Sequence, residues 1–140
     1  MINAIAFVVP GEPFGKQSAR VGKRGKFARA YMPQETVNYE AKVALAAAQA
    51  MRGAPLLTGA CRIELDIMRS IPASWSARKQ SDAMLNIIRP TVKPDSSNVL
   101  KAIEDGMTGV VWVDDKQAVE HEMRKMYSMT PGVRVRVAEL

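Results

Sequence analysis

The chain has 140 residues, of which 47% are hydrophobic, and it carries a formal net charge of +6. This length predicts one domain over residues 1–140, and the hydrophobic share is enough for a buried core. One cysteine and one histidine exclude an internal disulfide and argue against a zinc site, which favours a reducing, cytoplasmic location. We expect no membrane span, because no apolar run approaches the roughly 20 residues that a bilayer requires.

The positive charge predicts an anionic partner, with nucleic acid as the first choice. No acid occurs between Glu12 and Glu35, whereas basic residues are frequent there. The DNA-binding candidates in this interval are Lys16, Arg20, Lys23, Arg24, Lys26 and Arg29. Interleaved glycines and phenylalanines suit a loop that approaches phosphates closely and stacks on bases. A solvated, flexible loop is the simpler interpretation of the same run.

The N-terminal half divides into four segments, three of which have a recognisable apolar pattern. Residues 2–9 are apolar up to Pro10, which predicts a buried strand. Residues 14–30 are expected to form a loop or a hairpin. The alanine-rich segment 36–51 has helical spacing and is followed by Arg52-Gly53, a typical helix end. Residues 58–68 alternate between apolar and polar side chains, which predicts a half-buried strand.

The C-terminal half predicts two helices and two strands. Ser74 or Ser76 caps a short helix over residues 77–85, and an extended segment over 87–92 follows it. Asp95 or Ser96 caps a second helix that ends near Met107. Strands are predicted over 116–126 and over the alternating valines of 133–137. The elements follow no strict βαβ order, so we predict an α+β fold in which a small mixed sheet packs with helices.

Three carboxylates and a lysine carry the predicted chemistry. Asp95 lies at a helix start, and Lys101 follows one to two turns later on the same helix. Asp114 and Asp115 end a short apolar run. Each feature alone has an ordinary structural explanation: a helix cap, a turn, or a solvated pair between Lys101 and Asp105. Together they provide oxygen ligands for a hard metal ion and a cation for a phosphate, as metal-assisted phosphodiester hydrolysis requires.

These residues resemble the RusA-type Holliday junction resolvases of bacteria and their phages. The family's signature is similar to K-P-D-x-D-N-x-x-K, then an acid on the same helix, then W-x-D-D-x-Q-V. The matching residues here are Lys93, Pro94, Asp95, Asn98, Lys101, Asp105, Trp112, Asp114, Asp115 and Gln117. Weaker similarity extends over nearly the whole chain, from the turn at residues 9–13 to the segment around Trp75.

The resemblance implies a RusA-like fold and a homodimeric endonuclease that depends on Mg²⁺, with Mn²⁺ as a substitute. Such an enzyme cuts two strands of a four-way DNA junction symmetrically, in DNA recombination and repair. By the same resemblance, Asp95, Asp114 and Asp115 are the metal-site acids, and the catalytic residues are Asp95, Lys101 and Asp115. Asn98 would orient the helix start, and Asp105 would have a structural role.

Ser97 departs from the family pattern, because it occupies the position where the second signature acid usually stands. Serine offers a hydroxyl group or holds a metal-bound water but brings no charge. We therefore keep three alternatives open. The protein is a slower nuclease, or it recruits another acid such as Glu64, Asp66 or Glu120, or it binds branched DNA without cutting it. A basic structural protein with no role in nucleic-acid binding is a further alternative.

Overall fold

The computed structural model describes residues 3–24 and 27–140. Four of its six strands lie close to those that the apolar pattern predicts, and the other two fall in the basic segment expected to be a loop or a hairpin. The six strands are β1 (Ala4–Pro10), β2 (Arg20–Arg24), β3 (Phe27–Tyr31), β4 (Cys61–Ser70), β5 (Ala118–Ser128) and β6 (Gly132–Glu139). Strands β2 and β3 form an antiparallel hairpin of their own. The hairpin that the basic segment suggested is therefore present.

Three α-helices complete the described part of the chain. They are α1 (Gln34–Met51), α2 (Ala77–Met84) and α3 (Ser96–Met107). Helix α1 ends as predicted, because Arg52 adopts a left-handed conformation (φ 51°) and donates its backbone N–H to Ala48. Helix α2 begins as predicted, because the Ser76 side chain accepts a hydrogen bond from the Lys79 N–H at 3.2 Å. In the described residues no helix is long and apolar enough to cross a bilayer.

The main sheet is mixed, as expected for the predicted α+β class. Its strand order is β1-β6-β4-β5, with β4 and β5 parallel and the other pairs antiparallel. Segment 87–92 does not join this sheet as an extended element. The N–H groups of Ile87 and Ile88 instead donate to the Asp82 carbonyl oxygen and close the end of α2 with turns.

Helices α1 and α3 cover one face of the sheet and form the core with it. The buried strand residues on this face include Val9, Ile63, Leu65 and Val135. The two helices also touch each other, since a Cβ atom at Gly106 of α3 would lie only 2.6 Å from the Val43 Cβ. The backbone of α3 is thus held close against α1, which fixes the helix that carries the predicted site.

The opposite face of the sheet is polar and carries a network of ion pairs. Arg124 donates to Asp66 at 2.8 Å, and Arg134 donates to the same carboxylate at 3.2 Å. The network continues through Arg62, Glu64, Glu122 and Arg136. Because side chains alternate along β4, Glu64 and Asp66 point away from α3.

Candidate active site

Helix α3 presents Asp95 and Lys101 to solvent at its N-terminal half. Asp95 occupies the N-cap position, where its carbonyl oxygen accepts from the N–H groups of Asn98 and Val99 at 3.1 Å each. Its side chain makes no capping hydrogen bond and is exposed. Ser97 and Lys101 are also exposed, and they lie one turn apart on one side of the helix. The prediction that Asp95 starts the helix is confirmed, but its carboxylate is not used as a cap.

A groove of about 630 Å³ runs beside Asp95. One wall is the loop of residues 12–17, and the other contains Arg69, Lys93 and Asn98. Arg69 and Lys93 therefore bring positive charge to the start of α3. The sequence pattern singled out Lys93 but not Arg69, because Arg69 is distant in the chain and ends an otherwise ordinary strand.

Lys16 joins the N-terminal loop to both large helices. Its backbone N–H donates to the Asn98 carbonyl oxygen at 3.0 Å, and its ammonium group contacts Asp105 and, at 3.5 Å, Glu40. Burial alone would lower the pKa of Lys16, but the hydrogen bond and charge of Asp105, together with Glu40, raise it above its ordinary value. Lys16 and Asp105 thus form an ion pair that joins the N-terminal loop to α3. The Lys16 ammonium is less available to DNA than the sequence suggested.

The acid pair after Trp112 lies in a turn that is anchored through Gln117. The Gln117 side-chain oxygen accepts from the N–H groups of Val113 (2.9 Å) and Asp114 (3.0 Å). Its side-chain nitrogen donates to the carbonyl oxygens of Leu57 (2.9 Å) and Gly59 (3.0 Å). Trp112 itself is fully buried. The position of the two acids is therefore fixed by hydrogen bonds from both sides.

Asp114 and Asp115 differ in what their carboxylates do. Asp114 caps the 3₁₀ turn Asp115–Gln117 and accepts from the Lys116 N–H at 2.9 Å. This hydrogen bond, followed by one from Asp115, lowers the pKa of Asp114. Burial, followed by the hydrogen bond and charge of Asp114 and by the charge of Asp105, raises the pKa of Asp115. The Asp114 carboxylate thus serves as the cap of the turn, whereas Asp115 is exposed and is not the capping residue.

A fourth acid, Glu104, lies next to this turn and was missed from the sequence. Glu104 is only 9% exposed, and its carboxylate lies 3.8 Å from His121 Nε2. Burial raises the pKa of Glu104 to about 7, and the charges of Asp115 and Asp105 add to the increase. Glu104 lies three residues after Lys101 on α3, but it directly follows the core residue Ile103, so the helical pattern gave no signal for a site acid at this position.

The structure does not gather Asp95, Asp114 and Asp115 into one group. No cluster of three or more His, Cys, Asp or Glu side chains placed to hold an ion occurs within residues 3–24 and 27–140. The charges of Asp115 and Asp105 both raise the pKa of Glu104. Along an α-helix, Asp95 is roughly 13 Å from Glu104, at 1.5 Å per residue. Asp95 and Glu104 therefore lie toward opposite ends of α3.

The three acids proposed as substitutes for the missing charge at Ser97 are on the wrong face of the sheet. Glu64 is paired with Arg62 at 3.0 Å, which lowers the pKa of Glu64, and Asp66 is paired with Arg124. Glu120 is paired in register with Arg62 on the same face. Since α3 packs against the other face, none of these carboxylates faces the site.

Among the predicted DNA-binding residues, Arg20 and Arg29 lie on one face of the hairpin. In the β2–β3 register, Arg20 is opposite Tyr31 and Gly22 is opposite Arg29. The Tyr31 ring crosses over Gly22, because a Cβ atom there would lie 3.0 Å from Tyr31 Cε1. Tyr31 is 50% exposed, so this face carries an exposed aromatic ring over Gly22 together with Arg20 and Arg29.

Three other predicted basic residues belong to β2 or follow it in the sequence. Lys23 and Arg24 belong to β2, where their backbone pairs with Ala28 and Phe27. Lys26 lies outside the described residues. Tyr31 was not predicted as a contact, although an aromatic residue at the end of a basic, glycine-containing segment was the available signal.

The carboxylates of Asp95 and Asp115 are the type of donor that suits a hard divalent cation. Carboxylate oxygens are preferred by Mg²⁺ and Mn²⁺, and Mg²⁺ commonly takes only one or two protein carboxylates, with water and phosphate oxygens at the other positions. Asp115 is exposed in its turn, where its carboxylate shares a hydrogen bond with Asp114, and the Glu104 carboxylate lies 3.8 Å from His121 Nε2. Asp95 offers a further carboxylate beside the basic groove.

Comparison with known proteins gives two matches that span most of the chain. The model of the family described as Endodeoxyribonuclease RusA matches residues 10–138. A protein of Bacillus subtilis (strain 168), described as uncharacterized protein YqaN, is 30% identical over 141 residues, covering 99% of this chain and 99% of that protein.

Proposed function

Because the chain belongs to the RusA endodeoxyribonuclease family, we propose that it cuts four-way DNA junctions in a reaction that depends on Mg²⁺ or Mn²⁺. The structural observation that carries this proposal is that α3 exposes Lys101 together with Asp95, whose side chain makes no capping hydrogen bond. A further exposed carboxylate, Asp115, lies in the turn that follows α3 in the chain. This is the combination of acids and a cation that phosphodiester hydrolysis requires.

Asp115 is the acid best placed to hold the ion, with Asp95 and Asp114 as the other members of the proposed set. A bound divalent ion supplies an activated water and neutralises charge on the phosphate. Asp114 contributes mainly by holding the turn, since its oxygen already accepts from the Lys116 N–H. Asn98 positions the start of α3, because its carbonyl oxygen receives the N–H of Lys16 from the N-terminal loop.

Lys101 would stabilise negative charge on the phosphoryl oxygens as the bond to the leaving oxygen breaks. Its ammonium group is exposed on α3, and a cation aimed at developing charge stabilises the transition state more than the ground state. Ser97, one turn earlier, offers a hydroxyl group to the same phosphate or to a water molecule. It cannot supply the charge that an acid at this position would bring.

The hairpin would hold the DNA backbone and bases away from the cutting site. Arg20 and Arg29 pair with phosphates, and the ring of Tyr31 stacks on an unpaired base at the branch point. Lys93 and Arg69 extend the positive surface to the groove beside Asp95. These contacts favour branched DNA, because unstacked bases are available at a junction and not in a continuous duplex.

Symmetric cutting would require two active sites related by a twofold axis. A four-way junction is itself approximately twofold symmetric, and each chain carries one copy of the proposed site. A homodimer is therefore the simplest assembly that places two sites on two strands of like polarity.

Incubation of the protein with a synthetic four-way junction tests the proposal. We expect paired nicks at symmetric positions with Mg²⁺ or Mn²⁺, no nicks with EDTA, and no nicks in a linear duplex that contains the same arm sequences. Strand-specific end labels show whether the two nicks are symmetric. Retarded bands without nicks in either metal would refute the nuclease proposal.

Ser97 motivates one alternative function, a protein that binds branched DNA without cutting it. A site that has lost an anionic ligand binds its cation less tightly, because each carboxylate contributes charge to the site. Under this alternative, junction binding persists with EDTA and no concentration of Mn²⁺ produces nicks.

A further inference from the structure

Arg69 is a charged residue on the face of β4 that otherwise faces the core. Side chains alternate along a strand, and Ile63, Leu65 and Ile67 of β4 are all buried beneath the helices. Arg69 is the next residue in this series. Its side chain is half-buried and lines the groove beside Asp95. The row of core positions on β4 therefore ends in a cation next to the start of α3.

Arg69 has no carboxylate within ion-pair distance among residues 3–24 and 27–140. This distinguishes it from Arg62, Arg124, Arg134 and Arg136, each of which faces a carboxylate on the opposite side of the sheet. A guanidinium group presents several N–H donors in a rigid fork that matches two oxygens of a phosphate. A half-buried arginine that lacks an acid partner is therefore suited to bind an anion from outside the chain.

The groove that Arg69 lines has room for a short piece of DNA backbone. Its volume of about 630 Å³ lies within the range of roughly 300 to 1,000 Å³ that is usual for binding pockets. Lys93 lines the same groove and brings a second positive charge. Glu12 and Asp95 balance these two cations in formal charge, and the Glu12 carboxylate faces the Ser70 N–H at 3.4 Å. A phosphate in the groove would therefore be held by direct contact with the cations, not by a general attraction.

A second hollow connects this groove to Lys101. It has a volume of about 190 Å³ and is lined by Lys101 on one side. Asn98 and Gln17 line both hollows, so the two spaces adjoin where the N-terminal loop meets α3. Asp95 and Lys101 are roughly 9 Å apart along the helix axis, at 1.5 Å per residue. A DNA strand that places one phosphate at Lys101 therefore brings a neighbouring phosphate to the groove of Arg69.

We propose that Arg69, together with Lys93, binds a backbone phosphate that neighbours the phosphate contacted by Lys101. This inference rests on the proposed function for the identity of the ligand as DNA. It adds a contact that the signature does not contain, because Arg69 precedes the signature in the chain and reaches the site only through the fold. The contact holds the strand on the Asp95 side of Lys101 and so fixes which phosphate lies at the cutting site.

Junction binding at several salt concentrations tests this contact without relying on cutting. The affinity for a synthetic four-way junction is measured by fluorescence anisotropy in EDTA, between 50 and 200 mM salt, for wild type, Arg69→Gln and Arg69→Lys. We expect Arg69→Gln to bind about 10-fold or more weakly, and to lower the slope of log affinity against log salt by about 1, because one charged phosphate contact is lost. Arg69→Lys should keep the wild-type slope, since lysine still places one positive charge on the phosphate.

Arg52→Gln is the matched control, because it removes the same charge at the far end of α1. The loop that forms one wall of the groove lies at the start of this helix, where Gln17 donates to Glu35 at 3.2 Å. Arg52 is roughly 25 Å farther along the helix axis, so we expect wild-type affinity and slope. A loss in Arg52→Gln equal to that in Arg69→Gln would overturn the assignment, because it would show an effect of net charge alone. Near-ultraviolet circular dichroism establishes that each variant is folded.

Junctions with one neutral methylphosphonate linkage identify the phosphate itself. The linkage is placed in turn at each phosphate around the branch point, and the affinities of wild type and Arg69→Gln are compared. We expect one position at which the neutral linkage weakens binding by wild type but has no further effect on Arg69→Gln, since the two changes remove the same contact. Losses that add at every position would overturn the inference, as would wild-type affinity and salt slope in folded Arg69→Gln or absence of junction binding by wild type.

The outcomes separate this inference from the proposed function. If junction binding depends on Arg69 as expected but the wild-type protein produces no nicks with Mg²⁺ or Mn²⁺, the phosphate contact is supported and the nuclease proposal fails. If the wild-type protein cuts junctions and Arg69→Gln binds them with unchanged affinity and slope, the nuclease proposal is supported and the phosphate contact fails.

Discussion

The variant Glu104→Gln should change how the stability of the metal-free protein depends on pH. In the folded state the pKa of Glu104 is raised from 4.5 to about 7 by burial and by the charges of Asp115 and Asp105. The folded state therefore holds the Glu104 proton more tightly than the unfolded chain does. Stability is retained at low pH and is lost as the pH rises from about 4.5 to about 7, because the folded protein must then ionise a buried acid.

The size of this effect follows from the shift in pKa. A difference of about 2.5 pKa units, at about 1.4 kcal/mol per unit, gives a loss of roughly 3 kcal/mol across the whole range. Between pH 5 and pH 8 the expected loss is about 2 to 3 kcal/mol. Glutamine has no proton to lose, so Glu104→Gln should lack this part of the pH dependence. Between pH 5 and pH 8 the variant should therefore lose less stability than the wild-type protein does.

Urea unfolding in EDTA, followed by tryptophan fluorescence at pH 5, 6, 7 and 8, measures this difference. The buried indole of Trp112 reports on the unfolding of the core. The groups that face Glu104 are Asp105 on α3, Asp115 in the acid turn and His121 on β5. His121→Asn controls for the imidazole, because histidines are the usual source of pH dependence near neutral pH. Parallel stability profiles for wild type and Glu104→Gln would show that Glu104 does not ionise in a buried site.

Three further predictions concern cutting and DNA binding. Asp115→Asn should reduce junction cutting by roughly 100-fold or more, with unchanged junction affinity in a gel-shift assay, because the amide cannot hold the ion as a carboxylate does; normal cutting would show that the acid site is elsewhere. Ser97→Asp should raise Mn²⁺ affinity or cutting rate if a missing charge limits the site, whereas an unchanged metal dependence would mean that another group already supplies this charge. Replacing Arg20 and Arg29 with Gln should weaken junction binding and lower the slope of log affinity against log salt by about 2, measured between 50 and 200 mM salt; Lys16→Gln is the comparison, since its ammonium is occupied by carboxylates and it should leave the slope nearly unchanged.

Elements defined by local periodicity could be predicted from the sequence. The alternation of Val133, Val135 and Val137 predicted β6, and all three are buried on one side of the strand. The apolar spacing around Val99 and Ile103 predicted α3 and its end near Met107. These patterns reflect the repeat of the backbone itself, so they do not depend on knowing the partners of an element.

Contacts between distant segments could not be predicted in this way. Lys16 appeared to belong with its basic neighbours, but its ammonium is paired with Asp105, which is 89 positions away in the sequence. Glu64 and Asp66 were correctly assigned to one face of a strand. Which face the helices cover depends on the strand order β1-β6-β4-β5 and on the packing of α3, and the alternation within one strand cannot supply that information.

The ion pairs of the sheet also show which basic residues are free to attract an anionic partner. Arg62, Arg124, Arg134 and Arg136 each face at least one carboxylate on the open face of the sheet. Their charge is therefore largely balanced locally and contributes little to attracting a phosphate backbone. The excess of +6 must come mainly from residues outside this face, which is consistent with the basic hairpin as the primary DNA contact.

Asp114 and Asp115 show most directly what the structure adds. The two residues are adjacent and identical in type, and the sequence favoured Asp115 only through a family resemblance. The structure separates them by a physical criterion: the Lys116 N–H lowers the pKa of Asp114, while burial and the neighbouring acids raise that of Asp115. A carboxylate that is stabilised as a helix cap gains little from a cation, whereas one held among other negative charges gains much. A cation would therefore be stabilised more by Asp115 than by Asp114, and this difference between two adjacent residues of the same type comes from their positions in one turn.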